Sequence, residues 1–213
     1  MNFVDFSDSI AKIKNLPLPG HPAHFEMAPE MRVRELEHLG PAGKRPRKAG
    51  VLALFYPGPG AEANLLLIRR PAYPGVHSDQ VSLPGGKMER TDRDLMYTAL
   101  REAEEEVGVP PGEVSVIRPL SPLYIPPSNF EVSPFLGMSP GRPAFRKQES
   151  EVAALIEVPL SHLLSDDYLV TRRMTTSYAR DIEVPAFLLE GHVVWGATAM
   201  MLNELKRLLK AVF

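Results

Sequence analysis

The 213-residue chain contains no cysteine. Thiol nucleophiles, cysteine zinc sites and disulfides are therefore excluded, and the composition suits a reducing compartment. Long apolar runs are also missing: residues 51–56 (VLALFY) form the longest, far too short to span a bilayer. Neither sign of charge is in excess. With 24 Lys and Arg against 26 Asp and Glu the net charge is -2, which gives no electrostatic reason to expect a nucleic-acid partner. The start, Met1-Asn2-Phe3-Val4-Asp5, lacks the basic segment and apolar run of a signal peptide, so the expectation is a cytoplasmic protein with no membrane partner. G-x-S-x-G, P-loop and H-E-x-x-H patterns are all absent.

What is present is an ordinary globular balance, 44% hydrophobic and 23% charged. The length suits one domain, or one domain with an extension, and needs no covalent staples. The 22 prolines are spread along the chain, which implies many short connections rather than a linker.

Residues 3–14 read as a short amphipathic helix with Ser7 or Asp8 as cap, and 29–39 as a second, polar helix. The basic run 44–48 reads as a solvated tether. Residues 50–56 and 63–68 are apolar runs around a Pro- and Gly-rich loop, the pattern of a β-hairpin. Strand-like stretches follow at 114–120, 123–125, 132–138 and 152–158, then a short helix at 159–164 and a strand pair at 168–178 and 182–189. Trp195 is read as packing at the start of a terminal helix, in which Ala199, Leu202, Leu205, Leu209 and Val212 recur at helical spacing. The expected class is α+β: a mixed or antiparallel sheet with a central acidic helix and a C-terminal helix packed on it, preceded by an N-terminal helical extension.

The chemistry concentrates in residues 85–109, GGKMERTDRDLMYTALREAEEEVGV. A glycine pair, expected as a tight turn, precedes a helix rich in glutamate. At about 100° per residue, Leu95, Met96, Ala99, Leu100, Ala103 and Val107 share one apolar arc. Glu102, Glu105 and Glu106 share an adjacent arc, and Glu104 points elsewhere. Side by side and half buried, such carboxylates need a cation, and a hard one such as Mg2+ or Mn2+ matches their oxygens. From these residues alone, a solvated acidic face and a metal site are both open. Glycines upstream favour the second, because backbone there can approach a ligand.

This stretch resembles the Nudix box, G-x5-E-x7-R-E-U-x-E-E-x-G-U with U apolar. Arg101, Glu102, Ala103, Glu105, Glu106, Gly108 and Val109 fit its second half. The first half departs: five residues after Gly86 stands Asp92 rather than Glu, and eight rather than seven residues lead on to Arg101. That extra residue is similar to the coenzyme A pyrophosphatase branch, as are Leu66-Leu67 with Arg70, Leu83-Pro84-Gly85-Gly86, Pro127-Ser128-Asn129-Phe130, Glu151-Val152, Val158-Pro159-Leu160 and Trp195-Gly196-Ala197-Thr198-Ala199. Within that branch's signature, Gly75 stands where an arginine is expected, Asp79 where a glycine is, and Leu83 where an aromatic is.

The resemblance covers about residues 48–212. It implies a Nudix-type α/β/α sandwich over 46–213, with 1–45 as the extension, a candidate arm for a homodimer or lid over the site. It implies a Mg2+- or Mn2+-dependent diphosphatase acting on a small-molecule diphosphate, coenzyme A or an acyl-CoA first. ADP-ribose or NADH, and a non-catalytic nucleotide-binding module, are the alternatives. Carried over by position, Glu102 and Glu106 hold the metal with the Gly86 carbonyl, and Glu105 assists as a catalytic group. The general base comes from within the box or from outside it, where Glu151 and Glu149 are the candidates and Glu151 is the better fit by its flanks. Arg101 and Asp92 form a supporting salt bridge. Arg70, more than Arg69, is expected to grip substrate phosphates, and His77 to contact the substrate.

Overall fold

Eight consecutive buried residues, 49–56, run through the centre of the molecule in strand β1 (Arg47–Pro57). The chain is seen in a computed structural model that describes residues 1–39, 45–72, 79–175 and 180–213, the side chains of 37–39 excepted. Because successive strand side chains alternate between faces, β1 feeds two separate cores. Ala49, Val51, Ala53 and Phe55 enter one, and Leu52, Leu54 and Tyr56 enter the other. A strand buried on both faces marks the middle layer of a three-layer sandwich.

Three short helices precede β1: α1 (Phe3–Ile10), α2 (Gly20–Phe25) and α3 (Glu30–Leu39). The cap of α1 is Asn2, which accepts from the Val4 N–H, rather than Ser7 or Asp8. The basic run is no tether at its end, since Arg47 and Lys48 already belong to β1. Lys48 pairs with Glu131, and the Arg47 guanidinium lies 4.1 Å from the Phe130 ring centroid.

After β1 come β2 (Ala63–Arg69), β3 (Val81–Ser82), β4 (Gly85–Lys87), the acidic helix α4 (Leu95–Val107), β5 (Ser115–Pro119), β6 (Leu123–Ile125), β7 (Phe130–Met138) and β8 (Ala154–Pro159). The spine of the sheet is β3-β2-β1-β7-β5, with β4 on β1, β6 on β7 and β8 on β2. β1 and β7 are parallel and the other pairs antiparallel, so the sheet is mixed. A separate sheet, β11-β10-β9, follows the helix α5 (Leu160–Leu164); its strands are β9 (Leu169–Met174), β10 (Ile182–Leu189) and β11 (His192–Trp195). The chain then enters α6 (Gly196–Lys210).

Helix α4 covers one face of the main sheet through Ala99, Leu100, Ala103 and Val107. Helices α1 and α6 cover the other. The N-terminal segment is built into this second core. Phe6 is fully buried with its ring 4.9 Å from that of Phe55. The Phe3 N–H donates to the Ala61 carbonyl at 2.7 Å, which fastens the segment to the β1–β2 loop.

Helix α6 is buried on nearly all sides, beyond its apolar stripe. Glu204 is fully buried and accepts from the Gly20 and Ser121 N–H groups, with His24 Nε2 at 3.0 Å. Asn203 donates to the Ala23 carbonyl at 2.7 Å. Helix α2 thus lies over the polar side of α6. Burial opposes the Glu204 charge, but these hydrogen bonds outweigh it and hold the carboxyl below its ordinary value.

The glycine pair expected as a turn is a strand. Gly85 and Gly86 pair with Val51 and Gly50 in an antiparallel ladder. Backbone crowding explains why glycine stands here. A Cβ on Gly85 would lie 2.4 Å from the Gly50 carbonyl oxygen, and one on Gly50 only 2.2 Å from that of Leu95. Gly50→Ala therefore forces backbone apart and is expected to cost about 3 kcal/mol. Gly112→Ala, whose new Cβ meets nothing within 4 Å, should stay within about 0.5 kcal/mol of the parent. Urea unfolding of the three proteins measures both.

Candidate active site

Helix α4 begins at Asp94, whose side chain accepts from the Tyr97 N–H at 2.7 Å. It ends at Gly108, in the left-handed conformation at φ 73°, whose N–H closes the last turn. A Cβ on Gly108 would also crowd Arg146 at 3.0 Å. That contact matters because the loop after β7 is laced to the end of α4. The Arg146 N–H donates to Val107 and the Gln148 N–H to Glu106, each at 2.9 Å. The lacing brings Glu151, held by its own N–H to the Gln148 carbonyl, to the carboxylates of the helix.

The glutamates of α4 occupy distinct environments. Glu106 is 1% exposed; it accepts from the Gly85 N–H at 2.8 Å and from Arg70 Nη2 at 3.2 Å. Burial raises its carboxyl to about 7 against the pull of Arg70 and Gly85, and repulsion from Glu102 and Glu151 adds to the rise. Glu102 is half-buried and also raised, by burial first, with Glu105 and Glu151 repelling it. Three carboxylates, Glu102, Glu106 and Glu151, therefore share one field. Glu105 adds its repulsion at Glu102 but is 57% exposed and bonded to Arg101 Nη1 at 2.9 Å. Glu104 is exposed as well. Glu149 points away from the group, 78% exposed and paired with Lys147.

Arg101 is the hub beneath. Its Nε and Nη2 donate to Asp92 at 2.9 and 3.0 Å, and Nη2 also reaches Glu102 and the Lys87 carbonyl. Asp92 also accepts from Thr98 Oγ1 and the Glu89 N–H, both at 2.9 Å. Sequence reasoning placed Thr98 on no face. Its signal was its position, one turn beyond Asp94 and three residues before Arg101. Arg70 holds Glu106 and donates to the Gly85 carbonyl at 3.1 Å. Its expected role, gripping substrate phosphate, would require exchanging these contacts. Arg69 lies 3.7 Å from Asp79. His77 lies outside the described residues.

Among the described residues, no three His, Asp or Glu side chains converge closely enough to clasp an ion as they stand. Arg101 and Arg70 occupy the inner carboxylates instead. The donor set nonetheless fits a hard divalent cation. It is all oxygen, its most buried member is driven towards neutrality by burial despite Arg70, and the backbone leaves an approach. A Cβ at Gly86 would sit 2.4 Å from the Glu102 carboxyl carbon, so a larger residue there would displace that carboxylate.

On the opposite sheet face lies a cavity of about 330 Å3. Gly85, Gly86 and Arg70 line it and also touch the carboxylate group, so the two spaces meet at this edge.

The NUDIX domain family model matches residues 45–178. The chain is 38% identical over 168 residues to the uncharacterized Nudix hydrolase NudL of Pectobacterium atrosepticum, spanning 75% of this chain and 81% of that protein. It is also 38% identical over 151 residues to NudL of Yersinia enterocolitica, spanning 68% and 73%. Among solved structures, the Nudix hydrolase RenU from M. smegmatis superposes with a TM-score of 0.54 at 17% identity, over 78% of this chain and 88% of that one. A MutT/nudix family protein from Enterococcus faecalis gives 0.51 at 17% identity, over 94% and 74%. The chain belongs to the Nudix hydrolase family. It is a hydrolase of phosphorus-containing anhydrides, of a kind that generally needs divalent metal ions. No helix of the described residues is long and apolar enough to cross a membrane.

Asp92 makes the site's architecture sensitive to acid. Its carboxyl is held at about 2 against an ordinary 3.8, first by the Arg101 hydrogen bonds, while burial opposes. A depressed folded-state value means stability that is fully present above 3.8 and lost as pH falls towards 2. Asp92→Asn should therefore lower stability by about 2 kcal/mol at pH 7. The gap to the parent should narrow below pH 4 and close near pH 2, as read by thermal melts across that range.

Proposed function

We propose that this hydrolase cleaves the diphosphate of coenzyme A or an acyl-CoA to 3′,5′-ADP and (acyl-)4′-phosphopantetheine, with Mg2+ or Mn2+ as its ion. The observation that carries the reading is the cavity joined to the carboxylates at Gly85 and Gly86. A diphosphate facing Glu102 and Glu106 has room on the far side of the sheet for a bulky second substituent. A nucleoside triphosphate has no such group. The extra residue between Gly86 and Arg101, with Asp92 at the variant position, supports the same branch.

In this reading Glu102 and Glu106, with the Gly86 carbonyl, hold the ion, and Glu105 assists from its exposed position. When bound, the ion supplies the positive charge that offsets the diphosphate and favours ionisation of the attacking water. Glu151 takes the water's proton. The water oxygen bonds to one phosphorus as the bridging P–O bond breaks, and the departing phosphate oxygen keeps the electron pair. Glu151 suits the base role because its charge acts on both inner glutamates, whereas Glu149 is tied to Lys147. Arg70, at the seam of the two spaces, would hold the diphosphate by exchanging its contacts with Glu106 and the Gly85 carbonyl. Asp92 and Arg101 fix the strand–helix geometry throughout.

A panel of coenzyme A, acetyl-CoA, ADP-ribose, NADH and deoxynucleoside triphosphates tests the substrate. Coenzyme A and acetyl-CoA should give the highest kcat/KM; strong ADP-ribose turnover beside a flat response to coenzyme A would overturn the choice. On the best substrate, Glu106→Gln and Glu151→Gln should each lower kcat by about 100-fold or more. Glu149→Gln should leave it unchanged. Full activity in Glu151→Gln would remove that residue from the base role.

A further inference from the structure

Apart from the Gly85–Lys87 edge, the cavity's walls come from parts of the chain that the box does not include. Its floor is the sheet face opposite α4, where Ala49, Val51 and Val132 lie. Helix α6 adds Met200 and Met201. The third side is the N-terminal segment, through Met27, Ala28 and Arg32, all of which precede the family match at residue 45.

Charge is unevenly placed around this space. Arg70 and Lys87 stand at the Gly85–Gly86 edge, beside the carboxylates. Away from that edge the lining is mostly apolar, with aliphatic and thioether side chains beside the rings of Tyr124, Phe130 and Trp195, and the one buried cation, Arg32 at 8% exposure, is paired with Glu35. An anionic group is therefore favoured at the edge and an uncharged one deeper in. Methionine walls adapt to a flexible, irregular guest. Two hydroxyls of lining residues also lack a partner: those of Ser82 in β3 and of Ser128, just before β7, are buried and make no hydrogen bond. A buried hydroxyl left unpaired is costly unless something else meets it.

We infer that the N-terminal segment completes a subsite for the uncharged, amide-bearing arm of the substrate, with Ser128 hydrogen-bonding an amide of that arm. The inference rests on the reading of the substrate as coenzyme A. It assigns the cavity to the pantetheine side of the diphosphate and leaves the adenosine side outside it. Ala28 and Ser128 set specificity without touching the reacting phosphorus.

Titration calorimetry on the full chain with 4′-phosphopantetheine, and separately with 3′,5′-ADP, tests it. Ser128→Ala should bind 4′-phosphopantetheine about fivefold more weakly. Its melting temperature should be held or raised, because the hydroxyl it removes has no partner in the free protein. Ala28→Trp fills the cavity and should abolish 4′-phosphopantetheine binding. Affinity for 3′,5′-ADP should be unchanged in both variants. Unaltered 4′-phosphopantetheine binding in Ser128→Ala, or a parallel loss of 3′,5′-ADP binding, overturns the subsite. If Ala28→Trp does not fold, Ser128→Ala decides alone. Coenzyme A turnover separates the two levels. Hydrolysis with kcat/KM untouched by either variant removes the subsite and keeps the substrate. Ser128-dependent 4′-phosphopantetheine binding in a protein that does not hydrolyse coenzyme A keeps the subsite and removes the substrate.

Discussion

Three backbones meet where no side chain fits. Gly50 of β1 presses on the Leu95 carbonyl of α4, Gly85 of β4 on Gly50 and Val51, and Gly86 on the Glu102 carboxylate. Each contact falls well inside the distance a Cβ tolerates. Strand β4 can therefore lie in the ladder beside β1 while α4 crosses directly over both. The depth of the acidic helix follows from this crossing. A helix held off by even one methyl layer would leave Glu106 in solvent, with an ordinary carboxyl and no N–H from Gly85 to bind. The glycines act by close approach here; only Gly85 also uses a positive φ, at 148°.

Depth has an electrostatic cost, and two arginines offset it in different ways. Arg101 is fixed by four separate acceptors, of which the buried Asp92 is the closest match, and it joins the β4–α4 connection to the helix. Bidentate pairing of this kind sets geometry as well as charge. Among the described residues Arg70 makes two side-chain hydrogen bonds, both at or above 3.1 Å, and stays part-exposed beside the cavity. One cation is structural, and the other is placed to change partners. Lysine at position 101 could not span Asp92, Glu102 and the Lys87 carbonyl at once, since an ammonium lacks the fork.

Much of this was legible in residue pattern, because it depends on local spacing. Helical periodicity separated the apolar face of α4 from its glutamates and set Glu104 aside. The α+β class, with a central and a C-terminal helix on a mixed or antiparallel sheet, follows from apolar runs that alternate with amphipathic helices. What escaped depends on contacts distant in sequence. The glycine pair resembled a turn because nothing local reveals that Gly50, some 35 residues earlier, is its ladder partner. Helix α2 was missed since HPAH carries no apolar stripe; it forms because His24 and the Ala23 carbonyl meet Glu204 and Asn203, about 180 residues away. The N-terminal segment looked separable for a similar reason: Phe6 reveals its place only against Phe55.

The same sheet that carries two cores also divides the proposed chemistry. Glu102, Glu106 and Glu151 gather on the α4 side, where density of charge and a fixed helix favour an ion. The cavity lies on the α6 side, where apolar walls and the N-terminal segment favour bulk and flexibility. At most positions a strand would separate the two, since its side chains block passage over the edge. Positions 85 and 86 have none, and Arg70 is the only cation that both bonds a carboxylate of the first space and lines the second among the described residues. In the proposed reading, the glycines that set the depth of the acidic helix thus also open an edge where a single ligand can reach both faces. A substrate with a compact anionic centre and an uncharged arm fits that arrangement better than one charged along its whole length.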